Sequence, residues 1–241
     1  MHNPVGLNHF DNYLDWEKVQ PPFRLNDNII KQYKQIINKQ QSIITLGCTE
    51  EFLCLSDKVH AYDISEQQIS RYPGNASKLD WRDLKLDHNS VECIIGDNSL
   101  NFLLFPHEWI KVIENCKLIS KNFVVFRVLE KPRYEVSLKE IVSNLPFSFD
   151  CLKLQLFHFL ALKNPNVPVK LVYDLFYLLF KKQDLKDKVD WNNIDTIDNY
   201  KNSDLIYSLP TEQQILKYFP GAKRKNSYGY SMSECCPFYI F

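Results

Sequence analysis

The stretch Ser42-Ile43-Ile44-Thr45-Leu46-Gly47-Cys48-Thr49-Glu50-Glu51-Phe52, together with Val59-His60-Ala61-Tyr62-Asp63, decides how this chain folds. Residues 43–46 are few, β-branched and largely apolar, in the manner of a central strand buried on both faces. Gly47 supplies a tight turn, and residues 50–55 suit one or two helical turns. Residues 59–62 read as a second strand that ends on the Asp63 carboxylate. That order is the front half of a nucleotide-binding α/β unit, in which an acid at the carboxyl end of the second strand takes the two hydroxyls of a ribose. Two plainer readings compete. Gly47 can simply end its strand, and Asp63 can cap the helix that follows.

The same alternation continues on both sides. Asn26 is placed to cap a helix whose apolar positions Ile29, Ile30, Tyr33, Ile36 and Ile37 share one face, after an extended Pro21-Pro22-Phe23-Arg24 segment. Ser65 caps a helix through Ile69 that Pro73-Gly74 ends, and Lys78-Leu79-Asp80-Trp81 closes a third βα segment. Val91 to Ile95 is a fourth strand stopping at Gly96-Asp97. The spacing of Trp109, Ile113 and Cys116 predicts a helix, and Phe123 to Phe126 a fifth strand. Such alternation predicts an α/β fold, a Rossmann-like doubly wound parallel sheet with right-handed crossovers.

From about Pro132 the pattern turns helical. Ser137 with Glu140, and later Thr211 with Gln214, have the spacing of capping boxes. Phe147 to Lys163 is densely apolar, Asn164-Pro165-Asn166-Val167-Pro168 is a break, and Val169 to Phe180 marks another helix. Lys181 to Lys188 reads as an exposed turn, Pro220-Gly221 as a helix stop and Pro237 to Phe241 as a terminal strand. We therefore expect one domain over 1–241, with residues 132–205 inserted as a helical, substrate-binding cap.

Composition narrows the partners. Lys+Arg and Asp+Glu both number 29, so the chain has no net field to draw it to nucleic acid or to an anionic membrane. The Lys223-Arg224-Lys225 cluster reads as a solvated strand edge. The N-terminus, Met1-His2-Asn3-Pro4, lacks the apolar core of a signal peptide, and no apolar run reaches the ~18 residues that span a bilayer. Seven cysteines without chelating spacing read as reduced thiols of a cytoplasmic protein, with no metal site.

The first turn selects among ribose-bearing cofactors. A dinucleotide needs close backbone approach to its pyrophosphate, usually through G-x-G-x-x-G. Here Gly47 stands without that pattern, because positions 49 and 52 are Thr and Phe. S-adenosylmethionine carries a ribose and an adenine but no phosphate, so it tolerates those side chains better than NAD does. Asp80 is a candidate acceptor for the adenine amino group and Trp81 a flat face for the ring, although a surface acid and a core indole are the competing readings. Asp97 lies at the carboxyl end of the fourth strand, where open α/β sheets bind ligands.

With these residues in view, the chain resembles the class I S-adenosylmethionine-dependent methyltransferases, and within them a bacterial branch of small members. The resemblance is carried by Leu46-Gly47-Cys48-Thr49-Glu50-Glu51 at the glycine turn, Asp63-Ile64-Ser65 at the ribose acid, and Asp80-Trp81. Gly96-Asp97-Asn98-Ser99-Leu100-Asn101 at the end of the fourth strand adds to it. So do Pro21-Pro22-Phe23-Arg24, Ser208-Leu209-Pro210-Thr211 and Glu234-Cys235-Cys236-Pro237. It implies a seven-stranded sheet with a reversed last strand, and S-adenosylmethionine contacts at Gly47, Thr49, Asp63, Ile64, Asp80, Trp81 and Asp97. Glu50 replaces the branch's proline, Asn98 its glycine, and Ser120-Lys121-Asn122 its Pro-Gly-Gly. These departures bear on cofactor affinity more than on fold.

The activity so implied is methyl transfer to a small-molecule acceptor. A non-catalytic binding protein of the same fold and an NAD-dependent oxidoreductase are the alternatives. No general base stands out. His158 falls in an apolar helix and reads as core, and His107 reads as a helix start. Phe157, Phe159, Tyr173, Phe176 and Tyr177 either wall a pocket or, as their helical spacing favours, pack the cap.

Overall fold

Residues 43–46 do lie at the middle of a sheet. The computed structural model describes residues 16–39, 42–146, 148–186 and 191–241. Strands β1 (Ser42–Leu46), β2 (Lys58–Asp63), β3 (Asn75–Lys78), β4 (Val91–Asp97) and β5 (Ser120–Arg127) run parallel. Two short strands, β6 (Asn166–Pro168) and β7 (Ile206–Ser208), form a separate antiparallel ribbon. Then β8 (Lys223–Lys225) and the reversed β9 (Phe238–Ile240) complete a seven-stranded sheet of order β3-β2-β1-β4-β5-β9-β8. The order turns back between β1 and β4, the switch point at which open α/β sheets gather ligands.

Alternation along the strands divides the core. Ile44, Leu46, Ile94, Val124 and Phe126 face Trp109, Val112, Ile113 and Cys116. Ile43, Cys93, Ile95 and Val125 face Ile29, Tyr33, Ile37 and Phe52 on the other side. Each fully buried aliphatic side chain contributes about 1.5–3 kcal/mol relative to exposure.

The helices begin where the side chains can accept. In α1 (Asp27–Ile37) the Asn26 Oδ1 accepts from the Ile29 N–H at 3.0 Å. In α2 (Glu66–Arg71) the Ser65 hydroxyl accepts from Gln68 N–H at 3.2 Å. Helix α3 (His107–Ile119) starts at an exposed His107. Ser137 caps α4 (Leu138–Ser143), but the Glu140 carboxylate turns to the serine hydroxyl, so only half of that capping box forms. Helices α5 (Phe149–Leu160), α6 (Val169–Leu179) and α7 (Lys182–Lys186) follow, and α8 (Glu212–Tyr218) opens on the complete Thr211–Gln214 box.

Two expectations change. The break at 164–168 contains β6, which pairs with β7, because a two-stranded ribbon leaves Pro168 an edge position needing no N–H. The charged run after Phe180 is helical rather than a turn over Lys182–Lys186, since Leu185 is buried and Lys182 Nζ meets Asp198 at 2.6 Å and Asp195 at 3.0 Å. Residues 187 and 188 of that run, Phe147, and the N-terminal Met1-His2-Asn3-Pro4 lie outside the described residues. In β8 the two lysines are exposed while Arg224 turns inward to Glu130.

Helices α4 to α7 and the turn at Ile194–Tyr200 pack around Phe149, Phe157, Phe176, Ile197 and Tyr207, a hydrophobic cluster that also takes in Val19 and Phe23. His158 is fully buried here, and burial pushes its imidazole down to about 3. The unfolded chain gains that proton near pH 6.5 and the folded one does not, so this residue's contribution is complete above pH 6.5 and shrinks as pH falls toward 3. We expect unfolding free energy to lose about 1.4 kcal/mol per pH unit through this window on account of His158. Urea titrations at pH 6.5, 5.5 and 4.5 should show His158→Leu with a slope shallower by one proton; an unchanged slope refutes the assignment.

Candidate functional site

Gly47 ends β1 with a φ of +105°, a conformation that strains any residue with a side chain. Its N–H donates to the Tyr62 carbonyl at 2.9 Å, which ties the turn to β2. At the end of β2 the Asp63 Oδ2 accepts from Cys48 N–H (3.2 Å) and its Oδ1 from Ser65 N–H (2.9 Å). Ser65, not Asp63, therefore caps α2, and Asp63 is fixed between two turns at the rim of the sheet. Burial, with Asp63 beside it, pushes the Cys48 thiol up to about 12, so it is not a thiolate nucleophile.

Trp81 donates its indole N–H to the Tyr62 carbonyl at 2.6 Å. Its six-membered ring lies across from Gly47, where an added Cβ would stand 3.7 Å from it. Asp80 accepts from the Arg82 backbone N–H and from its guanidinium at 2.7–3.1 Å. Burial raises this carboxyl, but the Arg82 hydrogen bonds outweigh it and hold the group below the usual carboxylate range. Arg82 also reaches Glu108 at 3.0 Å.

Asp97, expected from sequence to contact the cofactor, is bonded within the protein. Both its oxygens are bonded to Arg127, Oδ1 to Nε at 2.5 Å and Oδ2 to Nη2 at 2.8 Å. Arg127 also donates to the Pro22 carbonyl (2.9 Å) and the Tyr230 hydroxyl (3.0 Å). Asn98 follows with a φ of +55°, and its Nδ2 stands 3.4 Å from the carbonyls of Pro22 and Phe23. Ser99 donates to the Leu46 carbonyl, joining the ends of β1 and β4.

One cavity opens at this carboxyl edge, with about 1500 Å³ of empty space including its mouth. Gly47, Thr49, Asp63, Ile64, Asp80, Trp81 and Asp97 all line it. Sequence reasoning missed the rest. Arg24 pairs with Glu51 at 2.6 Å on the wall beside the turn. Glu51 Oε2 and Asn98 Oδ1 are buried without a hydrogen-bond partner among the described residues. Val19, Phe23, Phe102, Tyr200, Leu205 and Tyr207 continue the cavity under the helical layer, and Lys153 reaches it from α5. The signal for Lys153 was its i, i+3 spacing from Asp150 on an otherwise apolar face. The aromatic residues named from sequence, Phe157, Phe159, Tyr173, Phe176 and Tyr177, do not line the cavity and pack within or against the helical layer. Neither His107 nor His158 lines it.

Among the described residues, no group of three His, Cys, Asp or Glu is placed to hold a metal ion, and no helix is long and apolar enough to cross a membrane. No protein-family model matches the chain, and no curated protein is significantly similar in sequence. Solved structures are similar in fold. A methyltransferase dependent on S-adenosylmethionine from Clostridium acetobutylicum matches 96% of this chain and 93% of its own, at 11% identity and a TM-score of 0.50. The PH0226 protein from Pyrococcus horikoshii matches 95% and 97%, at 11% identity and 0.51. A Rhodobacter sphaeroides protein described among zinc-dependent alcohol dehydrogenases matches 99% and 98%, at 12% identity and 0.59. The strand order and these matches give the chain the fold of the class I S-adenosylmethionine-dependent methyltransferases.

Removing Arg127 would strand the Asp97 carboxylate in the interior. We expect Arg127→Met to cost about 3–5 kcal/mol, and Arg127→Met with Asp97→Asn to recover most of it. Urea midpoints test this; a double variant no more stable than the single one rejects the pairing as the cause.

Proposed function

We propose that this chain binds S-adenosylmethionine and transfers its methyl group to a small-molecule acceptor. The carrying observation is Asp63, pinned by two N–H groups beside a glycine turn with positive φ, on the wall of one large cavity. A carboxylate at the end of the second strand is the group that takes a ribose diol in nucleotide-binding α/β units. Thr49 and Phe52 fill the positions where a dinucleotide would need glycine, which favours a cofactor without phosphate.

The remaining wall suits the rest of the cofactor. Trp81 and Ile64 offer apolar surface for an adenine, with Asp80 held in place by Arg82. An α-amino-acid end needs a cation for its carboxylate and acceptors for its ammonium. Arg24 supplies the first, and the orphaned Glu51 Oε2 and Asn98 Oδ1 supply the second. Asp97 acts at one remove, holding Arg127 against the Pro22 carbonyl in the segment, residues 19–25, that carries Arg24.

When bound, the sulfonium supplies a methyl carbon open to in-line displacement. The chain's own part is to position both reactants and to exclude water under residues 132–205, which we assign as the acceptor cap. Among the described residues, no histidine lines the cavity and Cys48 is protonated, so the acceptor brings its own nucleophilicity. All seven cysteines are free thiols, which fits the cytoplasmic setting we assign.

Thermal shift tests this with S-adenosylmethionine, S-adenosylhomocysteine and NADH. At about one hundred times Kd, either sulfur ligand should add ~2.7 kcal/mol, a rise of roughly 5–10 °C. Asp63→Ala should abolish that rise. Stabilisation by NADH alone, or a rise that survives Asp63→Ala, overturns the reading.

A further inference from the structure

The acceptor half of the cavity contains one charged group from the helical layer, Lys153 of α5, among the described residues. Its side chain is 1% exposed, and its partner Asp150 is fully buried, with Nζ 2.5 Å from Asp150 Oδ1. Taking such a pair out of water is expensive, and an apolar pair of similar volume often serves stability as well or better. This pair sits beside an apolar cluster of Phe, Leu, Val, Ile, Tyr, Trp, Ala and Cys side chains.

The pair is also oriented. Asp150 does not line the cavity. Its Oδ2 is turned away, accepting from Gln20 N–H at 2.9 Å and Asn193 Nδ2 at 2.7 Å. Lys153 does line it, fixed by the Thr196 hydroxyl at 3.2 Å and standing 5.4 Å from the Phe23 ring and 5.6 Å from that of Tyr200. The cavity thus meets the positive pole of the pair, with the negative pole behind it. Seven other charged residues line the cavity, Arg24, Glu51, Asp63, Asp80, Arg82, Asp97 and Glu108. None of them comes from the helical layer, and they surround the part assigned to the cofactor.

We propose that the methyl acceptor is a small acid with a flat or chain-like apolar body, and that Lys153 is the group that selects its carboxylate. The body lies against Phe23, Tyr200 and Tyr207, and the carboxylate meets the ammonium that Asp150 and Thr196 orient. Lys153 acts as a recognition group. An ammonium bonded to the attacking atom would withdraw its lone pair, so the nucleophile is a different atom of the same molecule. This assignment rests on the methyltransferase reading.

The test is equilibrium binding by calorimetry, using 2-naphthoate against 2-naphthamide and octanoate against octanamide. Each is run with and without saturating S-adenosylhomocysteine. A hydrogen bond to a charged group is worth about 1.5–3 kcal/mol, so each acid should bind at least roughly tenfold more tightly than its amide. Lys153→Met alone would leave Asp150 buried and unpaired, so the variant is Lys153→Met with Asp150→Asn. It should lose the preference for acids while keeping amide binding and S-adenosylhomocysteine affinity. Equal binding of acid and amide to the wild-type chain, binding of neither, or a preference that survives the double substitution overturns the proposal. The wild-type comparison stands even where the double variant fails to fold. Failure of S-adenosylhomocysteine to bind the wild-type chain is a separate result, and strikes the methyltransferase reading instead.

Discussion

The Arg127–Asp97 ion pair is the point through which the parts of this molecule are joined. It is buried, bidentate, and set at the carboxyl ends of β4 and β5, neighbours near the sheet's centre. Two charges withdrawn from water persist because the groups around them add further hydrogen bonds. Arg127 reaches the Pro22 carbonyl and the Tyr230 hydroxyl, and its backbone N–H donates to Tyr33, whose hydroxyl in turn donates to the Gly96 carbonyl at 2.8 Å. Sheet, first helix, N-terminal strap and C-terminal segment therefore meet at one residue, Arg127. The strap tied down here also supplies Val19, Phe23 and Arg24 to the cavity wall.

Two kinds of chemistry divide that cavity. Toward β1 and β2 the wall is built of turns, with N–H groups and carboxylates held at fixed positions by short loops. Toward the helical layer it is built of rings and aliphatic side chains around the Lys153 ammonium. A ligand with a polar sugar and amino-acid end would suit the first half, and the apolar body of the proposed acid acceptor the second. The contrast in wall chemistry is what makes a two-substrate reading physically coherent.

The sheet was legible in the sequence because buried parallel strands are written locally, as brief β-branched runs closed by Gly or Asp. Residues 43–46 and 91–95 needed nothing distant to be read. The acids at the strand ends were legible for the same reason: Asp63, Asp80 and Asp97 follow directly from strand boundaries. Their hydrogen bonds were not legible, since the partners of Asp97 lie 30 residues away on β5 and the Arg24–Glu51 pair joins positions 27 apart. The β6–β7 ribbon was hidden likewise, its strands being short and far apart in the chain. Aromatic residues in the helical layer were visible as a set, but helical spacing cannot say which rings pack inward and which line a space. Phe23, from a segment read only as extended, became a wall residue, while Phe157 and Phe176 went to the core.

The strap from Val19 to Leu25 is anchored largely through its main chain. Gln20 donates its N–H, and Pro22 and Phe23 offer carbonyls. Such anchors are indifferent to which side chain each residue carries. Val19 and Phe23 shape the cavity while packed in the helical cluster, so exchanges there that conserve volume alter the ligand space without unpinning the strap's course. Ligand choice and structural integrity are thus encoded in different atoms of the same few residues, an arrangement by which relatives could diversify their chemistry while inheriting one scaffold.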